Sequence, residues 1–91
     1  MVDVIDSRCL FMIFDKYINN LIIEDIESEY PNKIEYYIDN GRLIIDVFRK
    51  QCNYDIIDKL LSFIQRTHYV DTYYIRGKND YIEIELYPVC F

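Results

Sequence analysis

A chain of 91 residues, 52% of them apolar, suits one packed domain over residues 1–91 and excludes both a two-domain protein and a disordered one. Sixteen acidic side chains against ten basic ones leave a formal charge of −6, which argues against binding nucleic acid through its phosphates and against an anionic membrane surface. Cys9, Cys52 and Cys90 are far apart, no CxxC pair exists and His68 is the only histidine, so neither zinc nor any other metal or cofactor is expected, and a reducing compartment is the simpler reading.

Met1–Ser7 lacks the basic start and long apolar run of a signal peptide, and no apolar run reaches membrane-spanning length. A soluble, intracellular protein is expected. Asp6 or Ser7 can cap a helix, and Leu10, Phe14, Tyr17, Ile18 and Leu21 then recur at helical spacing, with Phe11 and Ile13 widening the stripe. The spacing predicts a helix from about Ser7 to about Asn20, with an end left open because Leu21–Glu29 keeps some helical character, and with Cys9 packing as a small apolar residue. Glu24, Asp25, Glu27 and Glu29 follow in a stretch with no base between Lys16 and Lys33, and Pro31 closes it.

Lys33–Arg49 carries the clearest signal. Asn40-Gly41 separates two runs rich in Ile, Tyr and Val, and this dipeptide tolerates the positive φ angles of a type I′ hairpin turn. With those two as the loop, Asp39 faces Arg42, Ile38 faces Leu43, Tyr36 faces Ile45 and Ile34 faces Val47. The opposite face sets Tyr37 against Ile44 and Glu35 against Asp46.

Asn53 is a good cap for a second helix, in which Ile56, Ile57, Leu60, Leu61 and Ile64 form the buried stripe, Phe63 lies at its edge, and the end falls near Arg66–His68. Val70–Tyr87 reads as a second hairpin with Gly77-Lys78-Asn79-Asp80 as its turn. In that register Arg76 faces Tyr81, Ile75 faces Ile82, Tyr74 faces Glu83, Tyr73 faces Ile84 and Thr72 faces Glu85, and Pro88 ends the strand. The core face is then Tyr73, Ile75, Ile82, Ile84 and Leu86; the other carries Tyr74, Tyr81, Glu83 and Glu85. Helix–hairpin–helix–hairpin order implies an α+β fold. It is a two-layer sandwich of a four-stranded, mainly antiparallel sheet with two helices on one face.

No catalytic constellation accompanies the carboxylates. The serines lack a nucleophile motif, the two glycines fall in the two turns, and His68 reads as a helix-end residue. An enzyme is not expected. The outward Tyr37, Tyr74 and Tyr81 could stack bases, but the acids between them would repel phosphates. What remains is negative charge. Residues i and i+2 of a strand stand roughly 6.6 Å apart, comparable with successive phosphates of a nucleic acid. Glu83 and Glu85 have that spacing, and Glu35 and Asp46 extend the row if the hairpins are neighbours. The bland alternative is a solvated face whose repulsion is relieved by Lys33, Arg42 and Arg76.

The short length, the acidity and the abundance of Ile, Tyr, Asp and Asn resemble the small early proteins of T4-type phages. EDIESEYPNK from Glu24 and YIEIELYPVCF from Tyr81 belong to the same impression. Among those proteins the chain looks most like the Arn-like anti-restriction DNA mimics. The resemblance is one of size, charge and composition over the whole chain. It implies a homodimeric inhibitor in the host cytoplasm that occupies the DNA-binding surface of the McrBC restriction enzyme without touching nucleic acid. The partner-binding acids would be Glu24, Asp25, Glu27, Glu29, Glu35, Asp46, Glu83 and Glu85. The alternative is a small α+β interaction or assembly module that meets its partner through apolar and tyrosine surface.

Overall fold

A computed structural model describes residues 7–25, 33–48 and 55–89, with side chains described up to Leu21 in the first segment and from Ile56 in the third. The elements are α1 (Ser7–Asp25), β1 (Lys33–Asp39), β2 (Arg42–Phe48), α2 (Asp55–Arg66), β3 (Val70–Gly77) and β4 (Tyr81–Pro88). The expected caps Asp6 and Asn53 and the stop at Pro31 lie outside the described residues. So do Cys52 and Cys90.

Helix α1 runs five residues beyond the expected end at Asn20. The reason is Leu21, which continues the stripe of Leu10, Phe14 and Ile18 by one more turn and is buried with them. Cys9 does not pack inward as expected. It is exposed, because the stripe is centred on its neighbour Leu10. On α2 the buried residues are Ile56, Ile57, Leu60 and Ile64. Both stripes meet Ile34, Leu43, Ile45, Val47, Ile84 and Leu86 of the sheet in a single cluster, so both helices serve one face. Each such side chain contributes about 1.5–3 kcal/mol by leaving water.

Phe63 joins the helices. Its ring stacks on Tyr17 at 4.0 Å and meets Phe14 edge-on at 5.0 Å, and the Tyr17 hydroxyl donates to the Lys59 carbonyl at 3.0 Å. Tyr36 ties β1 to α1 by donating its hydroxyl to Asp15 Oδ1.

The sheet is antiparallel throughout, in the order β1-β2-β4-β3. The first hairpin has the expected register from Asp39↔Arg42 to Lys33↔Phe48. Its turn has φ of 50° at Asn40 and 76° at Gly41, as the type I′ turn requires. The second hairpin departs from expectation. Gly77 pairs with Ile82, Ile75 with Ile84 and Tyr73 with Leu86, and the Lys78 amide donates to the Tyr81 carbonyl at 2.8 Å. The loop is therefore Asn79-Asp80, and Gly77 is a strand residue without positive φ. Every partner has moved by two positions. A shift of two keeps the side-chain alternation, so each residue still lies on the face expected for it. Near the far end, a register break between Val70 and Thr72 leaves Asp71 as the extra residue of a bulge. Among the described residues no helix is long and apolar enough to cross a membrane.

Candidate functional site

The helices cover one face of the sheet. The other carries the acids, and strand register places them. Because β2 pairs with both β1 and β4, Glu35, Asp46 and Glu83 stand side by side across three strands, and Arg76 of β3 continues the row opposite Glu83. Neighbouring strands are about 4.8 Å apart, so the row packs its carboxylates closely. The next row is Tyr37, Ile44, Glu85 and Tyr74, and the row on the other side is Lys33, Phe48 and Tyr81. Asp39 faces Arg42 beyond the tyrosine row.

These acids do not share one environment. Glu85 retains only 2% of its exposure and is fully paired. Arg42 Nη1 donates to its Oε2 at 2.8 Å, the Tyr87 hydroxyl donates to the same oxygen at 3.2 Å, and Arg76 Nη1 donates to its Oε1 at 2.5 Å. Arg42 also holds Asp39 at 3.0 Å, and its guanidinium pKa is raised, chiefly through its hydrogen bonds to Tyr87 and Asp39. Arg76 reaches Glu83 at 3.5 Å, and Lys33 reaches Glu35 at 3.1 Å. The three bases expected to relieve the repulsion therefore do pair with these acids.

Asp46 differs. It is 8% exposed, and its Oδ1 is buried with no hydrogen-bond partner among the described residues. Burial first, then the charges of Glu83 and Glu35, push its carboxyl pKa upward, and Lys78 opposes them. Tyr37, across the diagonal, also has a raised pKa, from burial and then from Asp46 and Glu83.

Glu83 and Glu85, expected on the face away from the core and there open to solvent, are on that face but not open. Glu83 is half-buried and Glu85 fully so, because the long side chains of this face cover its central strands. Strand order was the missing information: it makes β2 and β4 central. Glu24 and Asp25 form the last turn of α1, and Glu27 and Glu29 lie outside the described residues. His68 is exposed just after α2. Among the described residues no three His, Cys, Asp or Glu side chains are arranged to hold a metal ion.

Aromatic groups border the acids. Phe48 and Tyr81 meet at 5.0 Å, and Lys33 Nζ stands 5.8 Å from the Phe48 ring centre. Tyr74 and Tyr87 meet edge to face at 5.8 Å, and with Asp71 and Thr72 they line an open cavity of about 330 Å³. Tyr37 and Tyr74 are exposed. Comparison with protein-family models, with curated proteins and with solved structures finds no match to this chain.

Proposed function

We propose that this chain is a non-enzymatic binding protein that imitates the charge of DNA and inhibits a host DNA-binding or restriction enzyme, McrBC being the partner that the phage-protein resemblance points to. The observation that carries the reading is the row Glu35–Asp46–Glu83, three adjacent carboxylates on the face opposite the two described helices. A basic surface built to hold phosphates would find closely spaced negative charge there, backed by a chain of net charge −6. Glu85 adds little to that field, since Arg42 and Arg76 already neutralise it. The acids from Glu24 to Glu29 would supply the second cluster. Function as a homodimer belongs to the same proposal.

The test is displacement of labelled duplex DNA from purified McrBC at two salt concentrations. The parent chain is expected to displace DNA, less well at high salt. Two variants should weaken it: the quadruple change of Glu24, Asp25, Glu27 and Glu29 to Gln or Asn, and the pair Glu35→Gln with Glu83→Gln. Glu85 is left intact, because removing it would strand two arginine partners. If the parent leaves the DNA bound, or if both variants match it in potency and salt slope, charge imitation is wrong.

A second reading is favoured by the exposure of Tyr37, Ile38, Tyr74 and Ile75: an interaction module that binds through tyrosine and apolar surface. Displacement that is indifferent to salt and to the acid variants would support it.

A further inference from the structure

Two buried polar atoms of the outer face lack a hydrogen-bond partner among the described residues, Arg42 Nε and Asp46 Oδ1, and Asp46 is the one carboxylate among them. Every other carboxylate of the two acid-bearing rows has a base: Glu35 has Lys33, Glu83 has Arg76, and Glu85 has Arg42 and Arg76. Asp46 lies between Glu35 and Glu83 in register, is more than nine-tenths buried, and leaves Oδ1 without a donor. An orphaned buried oxygen costs stability, and a fold keeps one where it has a use.

The geometry points to Asp46 as the anchor for one basic side chain of a partner protein, an arginine or lysine inserted into the Glu35–Asp46–Glu83 row. This rests on reading the chain as a binder of basic surfaces. A guanidinium or ammonium supplies the donors that Oδ1 lacks and the positive charge that the three carboxylates favour. The surroundings suit an organic cation. Tyr37, 44% exposed, borders the row on one side, and the Phe48–Tyr81 pair borders it on the other. A divalent metal fits less well, since no metal-holding arrangement exists among the described residues. Among the described residues, Lys78 is the cation that acts on Asp46, and it gives Oδ1 no hydrogen bond.

The probe is acetylated hexa-arginine amide, titrated at low salt into isotopically labelled protein and followed by NMR. Asp46→Asn is expected to weaken binding at least tenfold. Asp58→Asn removes an equal charge from an exposed site on α2 and should change binding less than twofold. The melting temperature of the Asp46→Asn variant at neutral pH should equal or exceed that of the parent, because an unpartnered buried charge has gone. Weaker binding together with undiminished stability is the signature of a binding carboxylate. If Asp46→Asn binds like Asp58→Asn, the row is not the anchor, although the basic-surface reading stands. If the parent ignores the peptide, both fall. A melting temperature below the parent's makes Asp46 a structural carboxylate and overturns the assignment, as does tight magnesium or calcium binding that moves the same resonances.

Discussion

Tyr36 shows how one polar contact sets a pH response. Its hydroxyl donates to Asp15, and that bond, then burial, then the Asp15 charge, raise its pKa from 10 to about 12. The folded state therefore holds this proton more tightly than the unfolded chain does. The contribution is fully present below pH 10 and is lost as pH rises from 10 to about 12. Tyr36→Phe should cost about 1.5–3 kcal/mol at neutral pH, the typical worth of a hydrogen bond to a charged group. It should also flatten the alkaline fall in stability. Urea denaturation at pH 7 and pH 11 measures both, and an identical alkaline slope in the two proteins would contradict the assignment. Asp46 and Glu85 make the complementary point. They occupy adjacent rows of one face, yet one is held by two arginines and the other by none. Both are carboxylates on the same face of the sheet, so the difference comes from where each stands relative to the arginines.

Among the elements, the two hairpins test what a turn residue is for. Gly41 needs its φ of 76°, whereas Gly77 has no positive φ and open space where a Cβ would sit. Gly41→Val should destabilise by about 1–2 kcal/mol, since a β-branched residue resists that region. Gly77→Ala should be neutral or stabilising by up to about 1 kcal/mol. Thermal melts of the two variants suffice, and equal effects would contradict the turn assignment. The same contrast marks how far the sequence can be read. Asn40-Gly41 dictated one loop, and with it the whole register of β1 and β2. In the second hairpin Gly77 looked like a turn residue, and alternation alone cannot detect a slip of two. The faces were legible in both hairpins because burial repeats every second residue. Glu35 opposite Asp46 was legible from the first hairpin, but Glu83 on the other side of Asp46 was not, because it depends on β2 pairing with β4, which no local pattern encodes. The buried stripe of α2 and its end at Arg66 were legible from periodicity, and Leu21 was already in the stripe of α1, though its polar neighbours left the helix end open.

On the scale of the molecule, the sheet ends in two strands of unlike character, β1 and β3. β1 carries Lys33, Glu35 and Asp39, which discourage pairing. On β3, Thr72–Ile75 bears no charge, with Tyr74 at 51% and Ile75 at 45% exposure, and the bulge at Asp71 interrupts only its far end. A second copy is expected to join there. Sedimentation at micromolar concentration should show a dimer, and Ile75→Lys should shift it to monomer with the fold intact by circular dichroism. A parent that sediments as a monomer would remove the idea.

The strand order has a kinetic consequence. β1 with β2 and β3 with β4 are local hairpins, but the central pair joins Leu43 to Leu86 across nearly half of the chain. Closing that long loop is the entropically costly step, so the hairpins should form first and dock later. Until they dock, the inner edges of β2 and β4 are open to any passing strand. Asp46 and Glu83 face each other across that seam. Their repulsion slows the correct union, yet it equally deters either edge from capturing its own kind in another molecule. The acid row is thus expected to act as a gatekeeper against aggregation during folding.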